Sequence, residues 1–180
     1  MGQVLERSEI EDEDKWKVDT IYNNLEDWLK DYELGQKKIQ EVESMKDSFL
    51  LNSQNFKKAL LLDEETERLI EKLYCYASLK SNEDLANATY QELIGKASNL
   101  YQEYQEKTNY FVPRILKEDK SKILSFLDQE KDFESRRHNI LDILRYQGHS
   151  LSEEEEKLLA AFSNVLGAGS EAADYLMDAD

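Results

Sequence analysis

The stretch Asp63–Pro113, with the sequence DEETERLIEKLYCYASLKSNEDLANATYQELIGKASNLYQEYQEKTNYFVP, decides the fold of this chain. On both sides of a polar break at Ser81–Asp84, apolar residues recur every three or four positions, which places them on one face of a helix. In the second half this face extends for about seven helical turns and consists of Ala86, Tyr90, Leu93, Ala97, Leu100, Tyr104, Thr108 and Phe111. The stretch therefore predicts a long antiparallel helix hairpin, about residues 63–112, in which two apolar faces pack together.

Two further helices are predicted before the hairpin. Apolar spacing predicts a helix over residues 21–49, weakened at Gly35 and ending at Asn52-Ser53. A short amphipathic helix follows over residues 53–62. Asp63 is then expected to cap the first arm of the hairpin, because its side chain can accept a hydrogen bond from a backbone N–H of the first turn.

Breakers and caps mark more helices beyond the hairpin. Pro113 lacks an N–H and fits the first turn of a new helix. Short helices are predicted up to Asp128, and a longer one ends at Gly148. Ser152 and Glu155 form a capping box, the clearest local signal for another helix. The predicted fold class is therefore all-α, a helical lobe built around the hairpin with shorter packed helices.

The composition agrees with a helical fold. Hydrophobic residues make up 40% of the 180 residues and charged residues 34%, with one proline and six glycines. A low content of helix breakers is typical of helical proteins. A chain of this length buries one substantial core, so we expect residues 1–180 to form a single helical domain, with two small domains as the alternative. Residues 1–14 are charged and unpatterned, and we expect them to be flexible.

The chain is strongly acidic, because 23 basic and 39 acidic residues give a formal net charge of −16. That charge repels phosphate backbones and anionic lipid headgroups, so neither nucleic acid nor a membrane surface is an expected partner. The acidity fits either a solvated surface or a patch that recruits a basic partner. The longest apolar run, Leu158–Phe162, is too short to span a membrane, and the acidic N-terminus does not resemble a signal peptide. We therefore expect a cytoplasmic protein.

Residues that commonly perform catalysis are few. Cys75 is the one cysteine, which excludes an intrachain disulfide, and its place within an apolar helical face predicts a core residue. His138 and His149 do not belong to an HExxH motif, in which two imidazoles one turn apart bind zinc. A two-histidine site completed by distant carboxylates stays open as an alternative. The sequence also lacks a phosphate-binding glycine loop and a nucleophile elbow, so we predict no catalytic and no metal-binding residue in this chain.

Aromatic residues are concentrated in two places. Five tyrosines follow helical spacing in the hairpin, namely Tyr74, Tyr76, Tyr90, Tyr101 and Tyr104. This spacing is more typical of the edges of a core than of a peptide-binding ladder. Near the N-terminus, Trp16 is expected to anchor the first segment onto the helices behind it.

Several stretches, taken together, resemble one family. The segment Lys15–Tyr22 is similar to a family segment in which Lys-Trp is followed by an Asp and by an Ile-Tyr or Leu-Tyr pair. The stretch Leu73–Asp84, LYCYASLKSNED, is similar to the family's hairpin. The stretch His149–Leu159, HSLSEEEEKLL, is the most specific, and Leu176–Asp180 has Met177 where the family normally has Asn. Over nearly all its length the chain resembles oligoendopeptidase F, a bacterial branch of the thimet-oligopeptidase-like zinc metallopeptidases.

The resemblance covers only the N-terminal portion of such an enzyme. It implies a helical lobe that forms part of the wall of an enclosed channel, which admits short peptides. The zinc-binding HExxH helix of the family lies far downstream, in a part that this chain does not contain, so no catalytic or metal residue carries over to any position here. The parent enzyme would hydrolyse oligopeptides with a zinc-bound water. This chain alone is expected to bind no catalytic zinc and to be inactive.

The resemblance also implies partners, namely the missing catalytic lobe of the same polypeptide and oligopeptide substrates. Where that lobe is absent, we expect an uncovered apolar surface near Tyr175, Leu176 and Met177 and along one face of the hairpin, and self-association through it. The alternative is a stand-alone acidic helical scaffold or adaptor without peptidase activity. The two readings differ in whether the native polypeptide continues past Asp180. The helix predicted from Ser170 onward is cut short without a C-terminal cap or polar tail, which favours a native polypeptide that continues past Asp180.

Overall fold

The computed structural model describes residues 10–130 and 134–148. Every regular element within those ranges is helical, which confirms the all-α prediction. The α-helices of the described ranges are α1 (Leu25–Ser44), α2 (Ser53–Glu83), α3 (Ala88–Thr108), α4 (Phe111–Lys117), α5 (Lys120–Gln129) and α6 (Glu134–Arg145). Single 3-10 turns at Asp12–Asp14 and Val18–Thr20 precede α1.

The predicted antiparallel hairpin is present, and its first arm is longer than predicted. Helix α2 runs unbroken for 31 residues, so the prediction of a separate helix over residues 53–62 is wrong. Asn52 caps α2 in place of Asp63, and its side chain accepts a hydrogen bond from the Asn55 N–H at 2.8 Å. Asp63 lies inside the helix, where its carboxylate accepts a hydrogen bond from the Tyr104 hydroxyl of α3 at 3.0 Å.

The chain reverses after α2 a few residues later than the predicted break at Ser81–Asp84. Helix α2 continues to Glu83. Ser81 remains helical and buried, and its hydroxyl accepts a hydrogen bond from Gln91 Nε2 of α3 at 2.9 Å. Asn87 then caps α3 through its side-chain oxygen. The buried hydroxyl of Ser81 therefore has a hydrogen-bond partner on the opposite arm, and the helix continues past this residue.

Helix α1 ends before the predicted stop at Asn52-Ser53. The Tyr110 hydroxyl donates a hydrogen bond to the Val42 carbonyl at 2.8 Å. The Arg114 guanidinium donates to the Lys46 carbonyl. Carbonyls at a helix end need such partners, because the helix no longer supplies them. Side chains from the residues after α3 and from α4 therefore stabilise the end of α1, and the local sequence of α1 does not reveal them.

The segment before α1 is held by residues other than Trp16. The Trp16 side chain is 72% exposed, so its predicted role as an anchor is wrong. Val18 and Tyr22 are buried instead. The Tyr22 ring meets the Tyr76 ring of α2 edge-on, with the centroids 5.3 Å apart, a favourable geometry for an aromatic pair. The 3-10 turn at Val18–Thr20 contacts α2 and lies between the exposed Trp16 and the buried Tyr22.

Two hydrophobic clusters stabilise the lobe. The first core lies among α1, α2 and α3 and comprises Val18, Tyr22, Trp28, Ile39, Ile70, Leu73, Tyr76, Ala77, Leu93, Ala97, Leu100 and Tyr104. The second core connects to α4, α5 and α6 and comprises Val42, Met45, Phe49, Leu50, Phe56, Ala59, Tyr110, Phe111, Ile115, Ile123, Phe126, Leu127, Ile140 and Leu144. Helices α1 and α2 supply residues to both cores, so the clusters share two continuous helices.

The helices beyond the hairpin follow the predicted breakers. Pro113 lies in the first turn of α4, where the missing N–H costs no intrahelical bond. Helices α4 and α5 are the short helices predicted up to Asp128. Gly148 follows α6 with φ 83°, a left-handed conformation that favours glycine after a helix end.

Gly35 of α1 and Gly95 of α3 form a matched pair for a test of packing. A Cβ at Gly35 would lie 3.2 Å from the Leu100 Cδ2 atom, whereas nothing lies within 4 Å of a Cβ at Gly95. We expect Gly95→Ala to raise the free energy of unfolding by about 0.5–1 kcal/mol, because alanine has the higher helix propensity. We expect Gly35→Ala to lower it by about 1 kcal/mol, because crowding of the buried Leu100 outweighs that gain. Chemical denaturation measures both changes, and equal stabilisation would contradict the close approach of α1 and α3.

Candidate functional site

The structure divides the five hairpin tyrosines into two groups. Tyr76 and Tyr104 are buried and Tyr90 is half-buried, which agrees with the prediction of core-edge residues. Tyr74 and Tyr101 are instead 42% and 40% exposed. Their rings face each other from α2 and α3, with centroids 6.1 Å apart and planes inclined by 43°. An exposed aromatic pair therefore lies on the solvent side of the hairpin.

This pair lines a surface groove together with Glu71 and Ser98, and we call these four residues the tyrosine groove. The groove encloses a volume of about 560 Å³. Within the part of the chain that the structure describes, the carboxylate of Glu71 has no ion-pair partner and the hydroxyls of Tyr74 and Tyr101 have no hydrogen-bond partner. The groove therefore offers two aromatic faces, two hydroxyls and one carboxylate to a ligand.

Lys80, near the end of α2, is enclosed by carboxylates and tyrosine rings. Its Nζ lies 2.8 Å from Asp19 Oδ1 and 3.3 Å from Glu83 Oε2. It also lies 5.9 Å from the ring centroids of Tyr76 and Tyr90, within the range of a cation–π interaction. Burial lowers the pKa of Lys80, but the hydrogen bonds to the two carboxylates outweigh burial and raise it overall. Lys80 therefore stays charged and ties the N-terminal segment to α2.

Lys72 makes contacts of the same kind, although its side chain is more exposed than that of Lys80. Its Nζ lies 3.2 Å from Asp31 Oδ2 of α1 and 3.9 Å from the ring centroid of Tyr22. The Tyr22 hydroxyl donates a hydrogen bond to the same Asp31 oxygen at 2.7 Å. Burial, the first cause, and this contact with Asp31 raise the pKa of Tyr22, so the phenol stays protonated. At both Lys72 and Lys80, a carboxylate and a tyrosine ring together bind the ammonium group of the lysine.

Asp63 is a partly buried carboxylate in the interface between the two hairpin arms. Burial raises the pKa of Asp63 to about 6. The hydrogen bond from Tyr104 opposes this rise, and the nearby charge of Glu67 adds to it. The hydrogen bond from Tyr104 joins α3 to α2, so we assign Asp63 a structural role.

Replacing Asp63 by Asn is expected to flatten the pH dependence of stability. The folded chain holds the Asp63 proton up to a pH of about 6, whereas the ordinary pKa of the group is 3.8. Since the folded state binds the proton more tightly, the free energy of unfolding falls as the pH rises between these two values. A rise of this size corresponds to about 3 kcal/mol, and solvent screening of the partly exposed group reduces the cost of the ionised carboxylate to about 2 kcal/mol at pH 7. We expect Asp63→Asn to recover most of this free energy, because the side-chain carbonyl of the asparagine can still accept the Tyr104 hydrogen bond. Thermal melts from pH 4 to pH 8 measure the change.

The control for this prediction is Asp14→Asn, which neutralises an exposed carboxylate far from the hairpin interface in sequence. It should leave the pH profile of the unfolding free energy within about 0.5 kcal/mol of the parent. A parallel pH profile for Asp63→Asn and the parent chain would contradict the raised pKa of Asp63.

The described residues do not fit a zinc site. Within residues 10–130 and 134–148, no group of three or more His, Cys, Asp or Glu side chains is arranged to hold a metal ion. His138 lies on the exposed side of α6, with Nε2 3.1 Å from Asp142 Oδ2. His149 lies outside the described residues. We therefore derive no catalytic step from this part of the chain.

Cys75 is exposed, so the prediction that it belongs to the core is wrong. Leu73 and Ala77 of the same helix are both buried. Two positions along a helix correspond to more than half a turn, so a residue midway between these two points away from the core. The apolar residues next to Cys75 in sequence therefore do not indicate that Cys75 itself is buried.

Some predicted features fall outside the described residues. They are the proposed docking and self-association residues Tyr175, Leu176 and Met177, and the capping box at Ser152 and Glu155. Their roles stay predictions. Among the helices that are described, none is long and apolar enough to cross a membrane.

Comparison with known proteins identifies a common class. A family model described as Oligopeptidase F matches residues 114–180. Oligopeptidase PepF of Bacillus subtilis is 33% identical over 179 residues, which is 99% of this chain and 27% of that protein. Group B oligopeptidase PepB of Streptococcus agalactiae is 31% identical over 97% of this chain and 29% of that protein. The crystal structure of oligoendopeptidase-F from Enterococcus faecium matches 87% of this chain and 31% of that one, with a TM-score of 0.65 and 29% identity.

The helical lobe is therefore similar to part of a class of bacterial oligopeptidases. The chain belongs to the oligoendopeptidase F family, as the resemblance predicted. It spans less than a third of the length of these relatives.

Helical spacing alone does not reveal the pairing of Tyr74 with Tyr101. Each follows directly after a leucine of the first core, Leu73 and Leu100 respectively. One position along a helix turns a side chain by about 100°, which moves it from the centre of the buried face to its edge. A tyrosine directly after a core leucine on each of two antiparallel helices is therefore the sequence signal that indicates an exposed tyrosine pair.

Proposed function

We propose that this chain is the N-terminal helical lobe of a zinc-dependent oligoendopeptidase that hydrolyses short peptides. The lobe would form part of the wall of the substrate channel. The observation that carries the proposal is coverage: relatives named as oligopeptidases match 97–99% of this chain, yet the chain accounts for only 27–29% of each. Two filled hydrophobic cores support a structural role for the lobe within the larger enzyme.

On this proposal, the zinc ion and the catalytic residues belong to another lobe of the same polypeptide. That lobe is the first partner of this chain, and oligopeptides are the substrates. The compartment is the cytoplasm. Where the catalytic lobe is absent, the chain is inactive, and the segment with Tyr175, Leu176 and Met177 promotes self-association.

The decisive experiment is the intact mass of the native polypeptide in its source cells, detected with an antibody raised against this chain. A mass far above 21.1 kDa supports the proposal. Peptide hydrolysis by that longer polypeptide, lost with a chelator and restored by zinc, would support the activity as well. A native mass near 21.1 kDa would contradict the proposal and favour a stand-alone acidic scaffold.

A second experiment uses the 180-residue chain by itself. A quenched fluorescent oligopeptide, incubated with the chain and zinc, is expected to stay dark. Chelator-sensitive cleavage would show that the catalytic groups lie within this chain. Analytical ultracentrifugation at micromolar concentrations tests self-association, which a purely monomeric chain would contradict.

A further inference from the structure

We propose that the tyrosine groove binds the positively charged side chain of an arginine or lysine in a short peptide. The inference rests on the proposed function, because that function supplies oligopeptides as ligands. The recognised feature of those peptides is a cationic side chain, and the residues that bind it are Glu71, Tyr74 and Tyr101.

The chain itself shows how this combination of groups binds a cation. Lys72 lies against the Tyr22 ring and pairs with Asp31. Lys80 lies near the rings of two tyrosines and pairs with two carboxylates. The ring contributes a cation–π attraction and the carboxylate an ion pair, so the two act on the same ammonium group.

The tyrosine groove repeats this combination on the solvent side of the hairpin. Glu71 lies three residues before Tyr74 on α2, and this spacing places the two side chains on the same helix face. Tyr101 adds a second ring from α3, 6.1 Å from the first. A cation above either ring would therefore have a second ring and a carboxylate nearby.

No basic side chain of the hairpin is placed to fill the groove. The basic residues that flank it on α2 and α3 each pair with a carboxylate elsewhere: Arg68 with Glu64, Lys72 with Asp31, Lys80 with Glu83, Lys96 with Glu92 and Lys107 with Glu43. The net charge of −16 favours the approach of a cationic ligand. These basic side chains of the described hairpin are therefore engaged elsewhere, and the groove can accept a cation from a peptide.

Arginine is expected to bind more tightly than lysine. Its planar guanidinium can stack on a tyrosine ring while its N–H groups reach the Glu71 carboxylate. Both half-exposed rings remain partly hydrated, so the interaction is weak and suited to a transient peptide. Added salt should weaken it further, because the Glu71 carboxylate is exposed.

The test compares two pentapeptides, acetyl-Gly-Gly-Arg-Gly-Gly-amide and the same peptide with citrulline in place of arginine. Citrulline keeps the shape of the side chain and removes its charge. Binding to the isotope-labelled 180-residue chain is followed by NMR. We expect the arginine peptide to shift the signals of Tyr74 and Tyr101 and to bind about 5–10-fold more tightly than the citrulline peptide.

Variants locate the binding site. Tyr74→Ala and Tyr101→Ala are each expected to weaken arginine-peptide binding by about 2–5-fold, and Glu71→Gln by a similar factor. Tyr74→Phe keeps the ring and should retain most of the affinity. The matched control is Tyr146→Ala, which removes a 66% exposed tyrosine outside the groove and should change nothing. Circular dichroism confirms that each variant is folded.

Equal affinity for the arginine and citrulline peptides would overturn the inference. So would full affinity in the folded double variant Tyr74→Ala, Tyr101→Ala. Self-association of the parent chain that disappears in this double variant would assign the groove to a second copy of the chain, which also overturns the inference. A long native polypeptide that hydrolyses peptides, combined with failure of these binding tests, would leave the proposed function intact and reject only the groove.

Discussion

Replacing Trp28 by Ala is expected to lower the free energy of unfolding by about 3–5 kcal/mol. The Trp28 side chain is fully buried in the first core and stacks on the Tyr32 ring, with the centroids 5.4 Å apart. Its indole N–H donates a hydrogen bond to the Leu73 carbonyl of α2 at 3.1 Å. The substitution therefore removes a large apolar side chain, leaves a cavity and breaks a buried hydrogen bond between α1 and α2.

The other tryptophan provides the matched control. Trp16 is 72% exposed, so Trp16→Ala is expected to change the free energy of unfolding by no more than about 0.5 kcal/mol. Urea denaturation followed by circular dichroism measures both variants. Similar losses of stability for Trp16→Ala and Trp28→Ala would contradict the arrangement in which Val18 and Tyr22 anchor the first segment.

Phe49→Ala is expected to destabilise the second core by a similar amount, about 3–5 kcal/mol. Phe49 follows α1 and is fully buried. Its ring centroid lies 5.1 Å from that of Phe111, 5.5 Å from that of Tyr110 and 6.4 Å from that of Phe56. The control is Leu51→Ala, since the Leu51 side chain is 70% exposed and its loss should cost less than about 0.5 kcal/mol.

The Phe49 variant also tests whether the lobe is a single domain. In a Trp16→Ala background, Trp28 is the one tryptophan, so its fluorescence reports on the first core. If α1 and α2 couple the two cores, Phe49→Ala shifts the fluorescence transition and the circular dichroism transition together. A fluorescence midpoint that stays at the parent value while part of the helical signal melts earlier would favour two small domains.

The helical class and the hairpin could be predicted from the sequence because helical periodicity is local. The series from Leu93 to Tyr104 faces the first core in the structure, as its spacing indicated. Capping residues and breakers are also local, so Pro113 and Gly148 lie near helix ends as predicted. The family resemblance likewise followed from short stretches whose order along the chain matches that of relatives.

The candidate site depended on contacts that the periodicity does not specify. The tyrosines were identifiable as a group, but the packing of α3 on α2 determines that Tyr76 and Tyr104 are buried while Tyr74 and Tyr101 form an exposed pair. The enclosure of Lys80 requires Asp19, which lies far earlier in the chain, before α1. Distant ion pairs of this kind leave no spacing signal in the sequence.

The sequence by itself determined which segments are helical and which family the chain resembles, because both properties depend on neighbouring residues. The tertiary structure decided where α1 ends, that α2 runs through Asp63, and that Trp16 and Cys75 are exposed. The end of α1 and the place of Asp63 involve partners from other parts of the fold, whereas the exposure of Cys75 follows from its angle on α2 relative to the buried Leu73 and Ala77. The carbonyls near the end of α1, for example, accept hydrogen bonds from Tyr110 and Arg114, and only the packed fold brings these side chains into reach.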